Sequence, residues 1–286
     1  MKAPAFAYAR PGRLAEALEL LDRHGDAAQI LAGGQSLMPS LNFRLAAPAL
    51  LIDINRIESL KGIERRAADI RIGALVRHAE IEASPIIREE VPLVAAAIRH
   101  VAHPAIRNRG TFGGSLALAD PAAELPACAV ALDARLVLAG KTGTRSVAAR
   151  DFFQGLFQTD RRPDEILIEV LIPRQRPEQR CAFLELSRRH GDFAVAGVAA
   201  QADFAGPTLS ALRLVVFGSE PYPHLACHAA AAAVGAAAAV ERGMEVAAAL
   251  ADDLDPMADL RGSRATKRHL AQLLVRRALA QLTAAA

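Results

Sequence analysis

The chain has 286 residues, and 34 lysines and arginines against 31 aspartates and glutamates leave a formal net charge of +3. So small and dispersed a surplus excludes a nucleic-acid-binding stripe. With 52% apolar and 23% charged residues, the chain is a globular protein large enough to bury a core without staples. Cys128, Cys181 and Cys227 lie far apart with no CxxC pair. That excludes a zinc ribbon, a cysteine-ligated iron–sulfur cluster held by this chain alone, and a disulfide framework. The N-terminus shows no apolar signal-peptide core. The longest apolar run, 229–240, is mostly alanine and too short for a bilayer of about 30 Å. The expectation is a cytoplasmic protein.

Taken in chain order, alternating Phe6 and Tyr8 predict a strand, and Pro11-Gly12 a turn. Ala15, Leu18 and Leu21 recur at helical spacing up to His24-Gly25. Short strands are predicted over 29–32, 50–54 and 70–73, and helices over 78–83 and 91–101. Residues 107–110 read as a polar loop. Asp120-Pro121 has the form of an N-cap followed by proline at N1, opening a helix through Ala131. Residues 135–147 form a hairpin turning at 140–143, and 166–172 a strand closed by Pro173. The polar stretch 174–179 reads as a linker. Beyond it come strands over 183–186, 195–203 and 212–216, then helices over 228–241, 244–251 and 266–282. This pattern predicts a second α+β domain from about residue 177.

One short pattern occurs twice. Ala32-Gly33-Gly34-Gln35-Ser36 and Phe112-Gly113-Gly114-Ser115-Leu116 each place a glycine pair after an apolar or extended segment and before a residue able to cap a helix. Without a Cβ in the way, backbone N–H groups can converge on a phosphate. Ser36, Thr111 and Ser115 add hydroxyls. A lone Gly-Gly is commonly a tight turn, but two such loops suit the two phosphates of a pyrophosphate. Neither is a GxGxxG of a βαβ unit, and neither has the lysine of a P-loop. Gly140-Lys141-Thr142 only mimics the end of a P-loop, since Arg135 stands where its first glycine belongs.

The segments 31–37, 51–54 and 107–115 resemble the FAD-binding subunit of molybdenum hydroxylases, relatives of xanthine, carbon monoxide and nicotinate dehydrogenases. The resemblance continues through Asp120-Pro121-Ala122-Ala123-Glu124, through 164–167 and 187–194, and into 273–279, so it covers essentially the whole chain. It implies an α+β fold: an FAD-binding domain of two α+β subdomains of the vanillyl-alcohol-oxidase/PCMH type over 1–176. A smaller C-terminal domain with a short antiparallel sheet and helices would occupy 177–286. It also implies FAD as the cofactor. Molybdopterin would sit on a large partner subunit and [2Fe-2S] centres on a small one, in a dimer of heterotrimers. The chain would be the electron-transferring subunit of an oxidoreductase. The alternative is a self-sufficient FAD-dependent oxidase or dehydrogenase, and a second rival is a non-enzymatic nucleotide-binding module.

On the resemblance, Ile30, Leu31, Ala32, Gly33, Gly34, Gln35, Ser36 and Leu37 would wrap the FAD pyrophosphate. Thr111, Gly113, Gly114 and Ser115 would form the second cradle. Glu124 stands where the family usually has an aspartate bonded to a ribose or ribityl hydroxyl. Leu167, Asp192 and Phe193 would lie beside the flavin ring, the phenylalanine being able to stack on it. Leu184 replaces a lysine that several relatives carry near the flavin, which leaves Arg188 or Arg189 as the candidate cations. The eight histidines show no metal spacing and read as structural or surface residues, Lys267-Arg268-His269 as a solvated helix face. No catalytic acid or base and no metal ligand is expected in this chain.

Overall fold

The computed structural model describes residues 2–235 and 242–284. The first subdomain is β1 (Ala7–Ala9), α1 (Leu14–His24), β2 (Ala28–Leu31), α2 (Leu37–Asn42) and β3 (Leu50–Asp53). Its three strands form a parallel sheet with β3 in the middle. Every residue of β3 is buried, as a parallel strand covered on both faces requires. Ala17, Leu18 and Leu21 are the apolar stripe that α1 packs into this core. Glu16 caps the helix by accepting from the N–H groups of Gly12 and Arg13.

The second subdomain runs from β4 (Ile63–Arg65) and β5 (Asp69–Gly73) through six helices. These are α3 (His78–Ala83), α4 (Pro85–Glu90), α5 (Pro92–Ala97), α6 (Pro104–Arg107), α7 (Phe112–Leu118) and α8 (Glu124–Ala131). Then follow β6 (Arg135–Gly140), β7 (Gly143–Ala148), α9 (Ala149–Phe152), the hairpin β8 (Phe153–Gly155) with β9 (Gln158–Thr159), and β10 (Ile166–Pro173). The strands order as β4-β5-β10-β6-β7, antiparallel throughout. A bulge in β10 between Leu167 and Glu169 releases the Ile168 carbonyl from the ladder to accept from the Ala74 N–H (2.9 Å).

The C-terminal part holds β11 (Gln179–Leu186), β12 (Ala196–Ala205), β13 (Thr208–Phe217) and β14 (His224–Leu225) in an antiparallel sheet, with α10 (Cys227–Ala233), α11 (Gly243–Asp253) and α12 (Arg264–Ala284). Alternation along β12 gives each face a separate core. Ala196, Val198, Ala200 and Ala202 pack with α10, α11 and α12. Ala199, with Phe183, Val215 and Phe217 of the flanking strands, joins the core of the second subdomain. The sheet is therefore a shared wall.

Several expectations are corrected. The helix expected at Asp120-Pro121 begins at Glu124, with Ala123 in the N-cap position. Asp120 instead accepts from the Ala122 N–H, closing a tight turn that the preset proline φ favours. The helix expected over 91–101 is α5 alone, ended by a turn. Part of the 107–110 loop is helical, and Arg107 is buried there. The predicted 228–241 helix survives as α10, and 236–241 lie outside the described residues. Lys267 is buried rather than solvated, because Gly218 O (3.0 Å) and Asp259 Oδ2 (2.8 Å) accept from its ammonium. Among the described residues no helix is long and apolar enough to cross a membrane.

Gly197 pairs with Phe217, and a Cβ there would lie inside the van der Waals envelope of the Phe217 ring. Gly197→Ala is expected to lose about 1–3 kcal/mol by overpacking. A lowered midpoint in chemical denaturation checks this, and an unchanged midpoint contradicts it.

Candidate functional site

The two glycine loops meet back to back. A Cβ on Gly33 would stand 2.5 Å from Arg109 O and 2.9 Å from the Gly110 Cα. Gly110 in turn lies under His78, and Gly113 against Ala74. Side chains behind the loops hold this approach. The Asn55 amide donates to Ala32 O (2.8 Å) and Asp53 Oδ1 (2.6 Å). Asn55 Oδ1 accepts from Arg77 (2.5 Å), whose guanidinium also donates to Arg109 O. Tyr8 and Arg10 complete the network on Asp53 Oδ2. One chain of polar contacts thus grips a carbonyl of each loop.

The loops differ in what they leave free. Gly34 sits at φ +72°, a left-handed turn that favours glycine. None of the N–H groups from Gly33 to Leu37 donates to an acceptor among the described residues. In the second loop the N–H groups are spent inside the protein. Phe112 donates to Val76 O, Gly113 to Ala74 O, Gly114 to Thr111 Oγ1 and Ser115 to Thr111 O. Thr111 caps α7, so the second glycine pair lies within the first turn of that helix instead of preceding it. This loop therefore offers hydroxyls and close backbone approach, and the first offers the run of donors.

Both loops line one cavity of about 590 Å³, the size of a ligand pocket. It is walled by the first subdomain, the second subdomain and the 191–193 loop of the C-terminal part. Of the sequence-derived site residues, Ile30, Ala32, Gly33, Gly34, Gln35, Ser36, Leu37, Thr111, Gly113, Gly114, Ser115, Glu124, Leu167, Asp192 and Phe193 line it. Leu31 does not; it lies beside Gly34, whose absent Cβ would be 3.2 Å from its Cδ1. Leu184 is half-buried against the C-terminal core and is not part of the cavity wall. Arg188 and Arg189 are also outside it; Arg188 donates to Leu260 O, and Arg189 pairs with Asp192 at 3.5 Å. Phe193 is 47% exposed, with the Arg261 guanidinium 5.3 Å over its ring.

Sequence reasoning missed three polar wall residues. Arg161 is the one lysine or arginine in the lining among the described residues; burial lowers its pKa, and it donates to the carbonyls of Arg162 and Glu165. His78 is buried in the wall, with no partner for either ring nitrogen among the described residues. Burial, then the charges of Arg107 and Arg77, lower its pKa to about 4, so it is neutral near pH 7. Asp120 is also raised by burial. The Ala102 wall segment holds a left-handed φ of 46°. Arg107 steadies it by donating to Val101 O and Ala102 O while pairing with Glu82.

Glu124 opens α8 in the cavity wall. Burial, followed by the negative charges of Glu185 and Asp120, raises its pKa to about 8. It is therefore largely a neutral hydrogen-bond donor and acceptor at pH 7.

Fold and site together define an α+β protein with a ligand-sized cavity between two subdomains and a third wall. The model of the FAD binding domain in molybdopterin dehydrogenase matches residues 4–175, and that of the CO dehydrogenase flavoprotein C-terminal domain matches 181–282. The chain is 38% identical to the 6-hydroxypseudooxynicotine dehydrogenase complex subunit alpha of Paenarthrobacter nicotinovorans, over 98% of this chain and 95% of that one. It is 36% identical to the carbon monoxide dehydrogenase medium chain of Hydrogenophaga pseudoflava, over 96% of each. Among solved structures, the carbon monoxide dehydrogenase from Hydrogenophaga pseudoflava lacking the Mo-pyranopterin moiety superposes with a TM-score of 0.97 at 37% identity, covering 99% of both chains. Quinoline 2-oxidoreductase from Pseudomonas putida 86 gives 0.94 at 36%, covering 100% of this chain and 99% of that one. The chain belongs to the family of FAD-binding medium subunits of molybdenum hydroxylases. It is an oxidoreductase subunit, and its cofactor is FAD.

Gly33→Ala is expected to push the loops apart and weaken FAD retention at least about ten-fold, which corresponds to ~1.4 kcal/mol. Equilibrium dialysis of the purified variant checks this, and wild-type affinity contradicts it. For Glu124, the folded pKa of about 8 lies above the ordinary 4.5. Its contribution to stability is complete below pH 4.5 and is lost as pH rises through 8. At about 1.36 kcal/mol per unit, the loss is on the order of 3–5 kcal/mol. Glu124→Gln, neutral throughout, is expected to gain on the wild type in urea unfolding from about pH 5 to pH 8. A constant difference across that range contradicts the assignment.

Proposed function

We propose that this chain takes electrons from [2Fe-2S] centres on a small partner subunit and passes them to an external acceptor. Molybdopterin and substrate hydroxylation belong to a large partner subunit. The complex, on this reading, is a dimer of such heterotrimers working in the cytoplasm. The domain boundary falls at 176/177, in the irregular stretch between β10 and β11. The observation that carries the reading is the single cavity walled by both glycine loops, in a chain matched end to end by medium subunits.

The residues fit the cofactor. The unspent N–H groups from Gly33 to Leu37 and the hydroxyls of Ser36, Thr111 and Ser115 would hold the pyrophosphate. Glu124, as a neutral carboxyl, would bond a sugar or ribityl hydroxyl. Leu167, beside the β10 bulge, and Asp192 with Phe193 would bound the ring. Arg161 would offset negative charge on it. Bound FAD supplies the two-electron and one-electron chemistry that joins single-electron centres to a pair-accepting oxidant. The protein holds, orients and dries it.

The visible spectrum of the copurified complex tests this. Flavin bands that persist through desalting, with iron–sulfur and molybdenum signals present only when partners copurify, are the expected result. Substrate turnover by the isolated yellow chain would instead support a self-sufficient oxidase. A chain that takes up no FAD, alone or with partners, would sink both.

A further inference from the structure

Lys267, on α12, is only 2% exposed and stands outside the cavity wall. Burying an ammonium is costly, and an apolar residue would fill the same space at lower cost. What a lysine adds is directed, charge-assisted bonds. Nζ donates to Gly218 O at 3.0 Å and to Asp259 Oδ2 at 2.8 Å. Both acceptors belong to segments that support the cavity.

Gly218, just past β13, donates from its N–H to Pro121 O at 2.8 Å. Pro121 follows Asp120, which lines the cavity. Asp259 shapes the turn over 259–262. Its Oδ1 accepts from the N–H groups of Arg261 (2.8 Å) and Gly262 (3.2 Å), and its own N–H donates to Gly262 O (3.1 Å). That turn clasps the 187–193 loop at two points. Arg188 donates to Leu260 O at 3.0 Å, and the Arg261 guanidinium lies 5.3 Å over the Phe193 ring. Asp192 and Phe193, at the end of the clasped loop, line the cavity. Phe193 is exposed rather than packed in a core, so its place depends on the clasp.

We propose that Lys267 is a positioning residue for the third wall of the cavity. It anchors the 259–262 turn to Gly218, and through Arg188 and Arg261 that turn sets where Phe193 stands against bound FAD. The inference rests on the cavity being the FAD site. It gives the buried lysine a task that an apolar residue of the same size cannot perform. It also makes the far end of the chain, 259–267, part of what holds the ring in place.

The test takes two readings from the purified FAD-loaded complex. One is the visible circular dichroism of the flavin, which reports the surroundings of the ring. The other is the rate of FAD release on dilution. FAD content and the urea midpoint are measured first, which separates loss of fold from loss of position. Phe193→Leu is expected to change the dichroism and to speed release by about two- to ten-fold. Lys267→Met, which fills the space without directed bonds, should move both readings the same way, as should Arg261→Met. In a Phe193→Leu chain, Lys267→Met should add nothing further, a result that a merely structural lysine would not give. If the Lys267→Met complex does not assemble, Asp259→Ala, at an exposed residue, cuts the same link and takes its place. Wild-type dichroism and release in any of these variants overturns the inference, as does a Lys267→Met effect that persists at full size in the Phe193→Leu chain. Absence of FAD from the wild-type complex overturns the reading of the cavity, and the inference with it.

Discussion

Two stretches of backbone, 32–36 and 109–114, pass so close that no side-chain carbon fits between them. Everything that makes the cavity depends on that approach. Gly33 faces Arg109 and Gly110, and Gly113 faces Ala74. The approach needs more than small residues, since bare loops would still have to be ordered against their conformational entropy. The contacts from Asn55 and Arg77 to Ala32 O and Arg109 O do that ordering. The bulge in β10 reaches the same place from behind. Ile168 O holds the Ala74 N–H, and Ala74 O holds the Gly113 N–H. A distortion in a sheet strand thereby sets the position of a helix start in the cavity wall.

The electrostatics of the wall follow from this geometry. One arginine lines the cavity, against Asp26, Asp120, Glu124 and Asp192. Counted as formal charges, that lining would repel a pyrophosphate. Three facts reverse the balance. Burial keeps Glu124 largely protonated near neutrality and raises Asp120. Asp192 is drawn to Arg189. The first glycine loop presents consecutive N–H dipoles that need no charged side chain. Formal charge is thus a poor guide to what this cavity attracts, and the state of two carboxyls is a better one.

What could be read from the sequence was local. Glycine pairs are legible because only glycine tolerates both a left-handed φ at 34 and a missing Cβ at 33. The 3.6-residue stripe of α1 and the buried run of β3 are legible because their periods are strong. Lys267 and His78 were not, because Gly218 and Gly110, which close over them, lie far along the chain. Lys267 looks like a solvated residue until Gly218 and Asp259 are seen around it. Asp120-Pro121 shows the reverse failure. Its cap-like pattern was real, but a turn satisfied it before the helix began.

The C-terminal domain is more than an appendage to a cofactor-binding unit. Phe183, Ala199, Val215 and Phe217 of its sheet share a core with α5 and α8. Gly191, Asp192 and Phe193 then wall the cavity. Gly191 can take its place only because a residue with a Cβ would meet Ala102 O at 2.8 Å. Ala102 itself is held in a left-handed turn by Arg107. Contacts from both parts of the chain therefore meet at the same few backbone atoms. An FAD-binding domain cut at the linker would lose one wall of its cavity and one face of its core together. The cavity walls and the docking of the two domains are a single packing problem in this chain.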